Sequence, residues 1–194
     1  NSLSKEDDPC RPTDFYSLSK YEAELLVNHY RNDFRVQILR LYFPYGKGQK
    51  SGLIPNLIRD LEQGNPITTN MESGYPQINP IHITDVTEYV NRLLEIDYCG
   101  ILNMAGPDLL TIKELGELLA TALRRPASFR APDKELLSLV GNSERLVELT
   151  SYTPLTRISD GIESLTSATD NQYEEQIERA LKDGDPTVVI PLAT

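Results

Sequence analysis

The sequence predicts an α/β fold in which helices and strands alternate along the chain. Three observations predict it: apolar residues recur at helical spacing over 14–32, a strand-length apolar run occupies 35–42, and the same alternation continues downstream. The run at 35–42 has few polar residues, which is typical of a strand covered on both faces of a parallel sheet. This order favours right-handed crossovers between parallel strands.

The elements follow from local signals. The first helix has Thr13 or Asp14 as its expected N-cap, behind a polar, acidic loop over residues 1–12. A second helix is predicted over 53–63, ended by Gly64. The remaining predicted elements are strands at 66–69, 79–83, 100–105 and 128–131, helices at 86–95, 111–123, 134–140, 143–150 and 159–165, and, in a polar tail, a helix at 172–182 and an extended run at 187–190.

Two of these helices carry capping signals. Asp85, with Glu88 three residues further on, is the expected N-cap of the helix that follows it. Thr111 and Glu114 form a full capping box, in which each side chain satisfies a free backbone N–H of the other residue. Both signals place helix starts directly after predicted strands or turns.

The composition excludes several classes of partner. The chain has 194 residues, 39% of them hydrophobic and 25% charged, which is typical of a globular domain. Asp and Glu number 29 against 19 Lys and Arg, a formal net charge of −10. Because phosphate would repel such a chain, we expect neither nucleic acid nor an anionic membrane as partner. No apolar run approaches the roughly 20 residues that span a bilayer.

The cysteines and histidines are too few for a disulfide framework or a zinc-type ligand cluster. The sequence holds Cys10, Cys99, His29 and His82, and no other residue of either type. A reducing cytoplasm therefore fits best. The chain begins at Asn1 with no charged-then-apolar leader, so we expect a cytoplasmic piece of something longer.

Tyr16 and Lys20 are the candidate catalytic pair. Residues four apart on a helix project from one face about a turn apart. A free tyrosine has a pKa near 10, so use at neutral pH needs about 4 kcal/mol in favour of the phenolate. One ammonium about 5 Å away supplies approximately 3 kcal/mol at an effective dielectric of 20. The alternative is an exposed helical lysine beside a half-buried tyrosine.

Five segments resemble one known family. They are RPTDFYSLSKYEAE, ILRLYFPYGKGQ, GLIPNLI, INPIHITDV and GILNMAG followed by LTIKELGELLA. Their order and spacing resemble the extended short-chain dehydrogenase/reductases, specifically the NAD-dependent epimerase/dehydratases that act on nucleotide sugars. The resemblance covers about residues 1–166.

The resemblance implies a partial Rossmann-type parallel sheet plus a small α/β substrate-binding domain. It implies that residues 1–46 belong to the NAD(P)-binding domain, that 47–166 are mainly substrate-binding with 79–106 returning to the sheet, and that 167–194 are an appendage. The site residues that it implies are Tyr16 as acid–base, Lys20 positioning NAD or NADP, Tyr42, Phe43 and Pro44 beside the nicotinamide, and Gly52, Leu53, Asn56 and Arg145 toward the substrate.

Each of these residues could instead have a purely structural role. Phe43 and Pro44 could form a packed turn, Asn56 a helix surface and Arg145 a solvated helical residue. His82, in an apolar run, is expected to be a hydrogen-bonded core residue rather than a base.

The sequence also departs from the family pattern. The glycine-rich loop that cradles the dinucleotide pyrophosphate is absent, as is the serine or threonine that partners the tyrosine. Phe43 stands where sugar-nucleotide members often carry Asn, and Gln77 and Ile78 stand where a diphosphate-binding Arg is common. The chain therefore looks like the second half of an enzyme.

Three functions remain open on the sequence. The first is part of an NAD(P)-dependent nucleotide-sugar epimerase/dehydratase, in which Tyr16 takes a sugar hydroxyl proton as hydride passes to the nicotinamide. The second is a non-catalytic fragment or association module, which the missing glycine loop favours. The third is a reductase or sterol-type dehydrogenase of the same family. Family members pair through the helix that carries the tyrosine, so the resemblance also implies a homodimer.

Overall fold

The computed structural model describes residues 3–166, and this part of the chain is an α/β structure. The helices are α1 (Phe15–His29), α2 (Leu53–Gln63), α3 (Ile83–Glu95), α4 (Ile112–Leu123), α5 (Glu144–Thr150) and α6 (Ile158–Thr166). The strands are β1 (Gln37–Leu41), β2 (Ile67–Thr68), β3 (Gln77–Ile78), β4 (Gly100–Met104), β5 (Leu110–Thr111) and β6 (Phe129–Arg130). The predicted elements at 172–182 and 187–190 lie outside the described residues.

Strands β1 and β4 form the main sheet, a parallel pair whose register runs from Gln37 opposite Gly100 to Leu41 opposite Met104. Two shorter pairs, β2 with parallel β6 and β3 with antiparallel β5, lie elsewhere in the described residues. The predicted parallel pairing is confirmed. The division of the chain at residue 46 stays a prediction.

Two apolar clusters hold these elements together. The first joins α2, α4 and α6 through residues such as Leu57, Leu115 and Ile162, all of them buried. The second packs α3 and α5 against β4 around Tyr89 and Leu102, both fully buried. Burying each large apolar side chain contributes about 1.5–3 kcal/mol, so these clusters fix the helices to the strands.

The capping signals locate several helix ends correctly. Asp14 accepts a hydrogen bond from the Ser17 backbone N–H at 2.7 Å, and the Ser17 hydroxyl accepts one from the Asp14 N–H. Thr111 and Glu114 form the predicted box. Gly64 ends α2 with φ 72°, in the left-handed region that glycine adopts without steric cost.

The predicted strand at 79–83 is wrong. The antiparallel strand in this region is β3, and after it the chain runs extended only to His82, which pairs with Tyr45 in an isolated bridge. Helix α3 then begins at Ile83 with His82 as its N-cap. The run serves two elements, because residues 79–82 are buried against the core and Ile83 begins the helix.

The predicted helix at 134–140 is also wrong, since no helix occurs there. Its residues have an amphipathic helical pattern, but its backbone finds hydrogen-bond partners elsewhere in the chain. The Leu139 N–H donates to the Gln77 carbonyl at 3.0 Å, and Val140 accepts from the Ser4 N–H at 2.7 Å. These long-range bonds hold the segment extended.

The prediction that Asp85 is the N-cap of α3 is wrong, because the N-cap is His82. Asp85 lies inside the helix, only 1% exposed, and accepts hydrogen bonds from the Tyr152 hydroxyl at 2.5 Å, the Leu155 N–H and the Thr156 N–H. Burial alone would raise the pKa of Asp85, but the hydrogen bonds outweigh it and hold the pKa below its ordinary value. Asp85 therefore fastens the loop at 152–156 to α3.

We expect Asp85→Asn to lower the free energy of unfolding by roughly 2 kcal/mol at neutral pH, because an amide cannot accept all three bonds. The depressed pKa means that the carboxylate's stabilisation is fully present above its ordinary value of 3.8 and is lost as the pH falls below it. Denaturant unfolding across this range should show the variant and the original chain converging in acid.

The exposed carboxylate of Asp133 supplies the control, since Asp133→Asn removes a charge without these partners. An Asp85→Asn chain that unfolds like the Asp133→Asn chain at every pH would contradict the assigned role.

Candidate functional site

The carboxyl ends of β1 and β4 meet at one edge of the parallel pair. The chain leaves β1 into Tyr42, Phe43 and Pro44 and leaves β4 into Ala105 and Gly106. In open α/β sheets, ligands bind outside the carboxyl ends of the strands. This edge is therefore the candidate site, and it contains the three residues predicted to face the nicotinamide.

The loop after β1 is fixed by backbone bonds to the segment that precedes α3. The Ile81 N–H donates to the Tyr42 carbonyl, and the Tyr45 N–H donates to the Ile81 carbonyl at 3.0 Å. Within this loop Phe43 has φ 46°, the left-handed region that bulky residues rarely adopt. Its side chain packs against the first apolar cluster. The loop is therefore rigid, and its backbone is strained at one residue.

Tyr42 lies against the backbone of a distant glycine. Its ring is 8% exposed, and a Cβ added to Gly141 would come within 2.5 Å of it. Burial raises the pKa of Tyr42, while a hydrogen bond with Ser4 and the charge of Arg40 oppose that rise. Tyr42 is thus a packed phenol that shapes the site's wall.

Pro44 and Gly52, predicted for the cofactor and the substrate respectively, lie on either side of Gln49. The Gln49 side-chain amide donates to the Pro44 carbonyl at 3.2 Å, and its nitrogen lies 2.9 Å from where a Cβ on Gly52 would stand. The other amide atom, Oε1, is buried with no hydrogen-bond partner among residues 3–166. Sequence reasoning missed Gln49, which carries no local signal.

Tyr16 and Lys20 lie together on α1, as the spacing predicts. The Lys20 Nζ is 5.5 Å from the centroid of the Tyr16 ring, and Tyr16 is 48% exposed. The phenol is therefore open to a ligand and has an ammonium beside its ring. At 100° per residue, Lys20 and Glu24 lie on one side of the helix, and Tyr16 lies at the margin of that side. Phe15 and Leu26 lie on roughly the opposite side of the helix.

The other predicted substrate residues have protein partners. Leu53 and Asn56 lie in the first turn of α2, where Asn56 is exposed and accepts a bond from Arg59. Arg145, on α5, pairs with Asp7 at 2.5 Å and approaches the Glu6 carboxylate at 3.9 Å. The structure thus places Tyr16, Gly52 and Arg145 on three separate elements.

A cavity of about 510 Å³ opens beside the carboxyl end of β4. Its wall includes Ala105, Gly106 and Val147, and Glu144 is the one ionisable residue among the described residues that line it. Asn79 braces this wall, since its amide donates to the Gly141 carbonyl at 2.8 Å and accepts from the Gly141 N–H at 3.0 Å. The cavity is mainly apolar.

His82 is buried beside this edge. Its Nδ1 lies 2.8 Å from the Thr84 hydroxyl, and its ring meets the Tyr45 ring edge-on with centroids 5.0 Å apart. Burial lowers the pKa of His82, and the charge of Asp85 only partly offsets this. The imidazole therefore tends to remain neutral and caps α3. Across residues 3–166 no cluster of three or more His, Cys, Asp or Glu could hold a metal ion.

The sequence identifies the family. Residues 2–104 of the 194 match the model of the NAD dependent epimerase/dehydratase family. Because this match covers more than half of the chain, the chain belongs to that family, as the five segments indicated.

Two curated relatives are reductases. A dTDP-4-dehydro-6-deoxy-D-allose reductase of Streptomyces bikiniensis is 30% identical over 143 residues, which are 70% of this chain and 42% of the reductase. A reductase of the same name from another Streptomyces is 28% identical over 141 residues, 69% of this chain and 42% of that protein. The chain spans less than half the length of these relatives.

Solved structures of the same kind share the fold. A dTDP-glucose 4,6-dehydratase of Bacillus anthracis in complex with NAD matches 92% of this chain and 57% of its own, with a TM-score of 0.73 and 20% identity. A UDP-glucuronic acid 4-epimerase of Bacillus cereus, in complex with UDP-glucuronic acid and NAD, matches with a TM-score of 0.72 and 21% identity. That match covers 91% of this chain and 57% of the epimerase. The predicted α/β, Rossmann-type fold is thereby confirmed. Within residues 3–166, no helix has the length and apolarity to cross a membrane.

We expect Gly141→Ala to lower the free energy of unfolding by about 1–3 kcal/mol, because the new methyl group would collide with the Tyr42 ring. Denaturant unfolding measures this loss. The double variant Gly141→Ala with Tyr42→Leu should lose no more than Tyr42→Leu alone, since the smaller side chain makes room. Additive losses would show that the two residues do not press on each other.

Proposed function

We propose that this chain provides the acid–base and part of the substrate-binding machinery of an NAD(P)-dependent enzyme acting on a nucleotide sugar. The observation that carries the proposal is the open phenol of Tyr16 with the Lys20 ammonium 5.5 Å from its ring centroid. Membership in the NAD dependent epimerase/dehydratase family supports it. The chain would contribute the carboxyl-terminal portion of such an enzyme.

Tyr16 performs the proton transfer in this proposal. Its hydroxyl takes the proton of a sugar hydroxyl during oxidation and returns it during reduction. In this proposal the Lys20 ammonium, 5.5 Å from the centroid of the Tyr16 ring, is the positive group beside the reacting phenol. Half of the Tyr16 surface is exposed, so a substrate hydroxyl can reach the phenol without any change in the core.

The residues at the carboxyl edge fit the nicotinamide end of the cofactor. Tyr42, Phe43 and Pro44 form a rigid loop there, and the unpartnered Gln49 Oε1 offers a buried acceptor to a hydroxyl or amide. Lys20 can donate to ribose hydroxyls. Bound NAD(P) supplies the hydride acceptor or donor. The glycine-rich loop for the pyrophosphate is not among these 194 residues, so this chain holds only part of the cofactor site.

The substrate segment of the proposal comprises Gly52, Leu53, Asn56 and Arg145. Gly52, at φ 111°, is the N-cap of α2 and precedes the backbone N–H groups at the start of that helix, while Gln49 fills the space where a Cβ would stand. Arg145 can meet a substrate anion only by exchanging Asp7 for it. The related enzymes are named for dTDP and UDP sugars, which makes a nucleotide sugar the proposed substrate class.

Reduction of a sugar ketone is the second candidate reaction. The two curated relatives in this comparison are named as reductases, and the first is 30% identical. Phe43 and Gln77, which depart from the common sugar-nucleotide pattern, are consistent with a substrate pocket that differs from that of an epimerase. Tyr16 would then give its proton to the forming hydroxyl rather than remove one.

Helix α1 also supports a homodimer. Four large apolar side chains of α1 are exposed: Phe15 (85%), Leu18 (42%), Leu25 (54%) and Leu26 (65%). They lie within an arc of roughly 100° around the helix axis. This mainly apolar stripe, which also contains Glu22, faces away from Lys20 and Glu24. Two copies could therefore pair through α1 without covering the Tyr16 phenol.

Tyr16→Phe tests the proposed chemistry. In an enzyme that contains this chain, we expect turnover of a dTDP-4-dehydro-6-deoxy sugar with NADPH to fall by at least about 100-fold, because the proton donor is lost. Tyr30→Phe is the matched control, since Tyr30 lies at the other end of the same helix and is 46% exposed against 48% for Tyr16. Steady-state kinetics on both variants gives the answer.

Retained turnover in Tyr16→Phe would remove the residue from the mechanism. Calorimetric titration of NADH into the 194-residue chain separates the non-catalytic alternative. Weak but saturable binding that Lys20→Ala abolishes supports a partial cofactor site, whereas no binding favours an association module.

Leu26→Asp tests the homodimer. A new charge in this stripe, at its Leu26 margin, should convert a dimer to a monomer in sedimentation or light scattering, because it would be buried without a partner. Asn28→Asp, which adds the same charge at an exposed position of α1 outside the stripe, should leave the mass unchanged. A chain that is monomeric before substitution contradicts the homodimer.

A further inference from the structure

Helix α1 is not held in place by buried side chains of its own. No residue between Phe15 and His29 is buried, and its large apolar residues are mostly exposed. A helix of this kind usually gains its stability from packing an apolar face. Some other interaction must therefore set the position and rotation of α1, and with them the position of Tyr16.

Arg40, the fourth of the five residues of β1, makes that connection. Its Nε donates to Glu24 Oε1 at 3.0 Å and to Oε2 at 3.2 Å, and its Nη2 donates to Oε2 at 2.7 Å. The side chains of Arg40 and Glu24 are only 18% and 21% exposed. Forked arginine–carboxylate pairs fix orientation as well as distance, and partial burial reduces their screening by salt. Glu24 raises the pKa of Arg40, so the cation is permanent.

The same guanidinium holds the segment that leads into α1. Arg40 Nη1 donates to the Glu6 carbonyl at 3.1 Å. The Glu6 carboxylate, 4% exposed, accepts from the Asn103 N–H at 3.0 Å, and Asn103 lies opposite Arg40 in the β1–β4 register. The entry segment and the helix are thus both fastened to the parallel pair at one level of the sheet.

Glu24 is placed where it controls the catalytic pair. Tyr16, Lys20 and Glu24 follow at intervals of four residues, so they occupy one side of α1 within an arc of about 80° and over about 12 Å. A clamp on Glu24 therefore opposes rotation of α1 about its own axis, and with it any change in the direction in which Tyr16 points relative to the β1–β4 pair. Tyr16 and Lys20 keep their mutual geometry within the helix regardless, because both belong to α1.

We infer that Arg40 is a positioning residue for the Tyr16–Lys20 pair: through Glu24 and the Glu6 carbonyl it fixes how α1 presents the phenol to the edge of the sheet. This inference rests on the proposed function for its chemical meaning. The structural part of it can be measured without any activity.

The test uses the 194-residue chain labelled with fluorotyrosine. The Tyr16 fluorine NMR signal is assigned as the one missing in Tyr16→Phe. We expect Arg40→Gln and Glu24→Gln to shift or broaden this signal and to speed amide hydrogen exchange in α1 roughly tenfold, while amides of β1 and β4 stay protected. Arg157→Gln is the control, since Arg157 also pairs with a carboxylate at 2.7 Å, that of Asp108.

Two further variants make the result decisive. The charge exchange Arg40→Glu with Glu24→Arg should restore the Tyr16 signal and slow the α1 exchange, and the double variant Arg40→Gln with Glu24→Gln should be no worse than either single change. If Arg40→Gln does not fold, Glu24→Gln, which leaves β1 untouched, is the deciding variant. An unchanged Tyr16 signal and unchanged α1 exchange in Glu24→Gln would overturn the inference.

The two proposals fail separately. If the fluorine signal responds as expected but Tyr16→Phe keeps its turnover, the proposed function falls and the positioning of α1 stands. If Tyr16→Phe abolishes turnover but the signal does not respond, Arg40 has no positioning role.

Discussion

The parallel pairing of β1 with β4 is the constraint on which the rest of the structure depends. Its register brings Tyr42 and Ala105 out at the same edge and sets Arg40 beside Asn103. The core packs against this pair from α3 and α5, and the loop after β1 continues into backbone bonds with Ile81. A shift of one residue would turn every side chain of β1 to the opposite face and dissolve this arrangement.

Three carboxylates hold irregular segments of the chain in place by accepting hydrogen bonds from backbone N–H groups. Glu6 accepts a backbone N–H of β4, Asp85 accepts two from the chain between α5 and α6, and Asp108 accepts the N–H of the first residue of α6. Buried charges are tolerated when they are fully hydrogen-bonded, and the resulting contacts are directional. They fasten irregular segments around the candidate site that apolar packing alone would leave free to slide.

Local signals in the sequence predict the helices well and the connections poorly. The caps at Asp14 and Thr111 and the glycine after α2 depend on residues three or four apart, so they can be seen without the fold. Asp85 looks like a cap by the same rule, yet its partners lie 67 to 71 residues away. The segment 134–140 is helical by composition and extended by its backbone partners.

The candidate site likewise has features that the local sequence predicts and features that depend on contacts between distant residues. The proximity of Tyr16 and Lys20 is predictable because one helix turn separates them, whereas Gln49 and Arg40 gain their meaning only from distant contacts.

Helix α1 has two dissimilar flanks. One carries the phenol, the ammonium and the clamped carboxylate, and the other carries Phe15 and Leu26, both open to solvent. Substitutions can accumulate on the apolar flank without touching Tyr16, Lys20 or Glu24. The surface that this helix offers to other molecules can therefore vary while the proposed catalytic pair on its opposite flank stays the same.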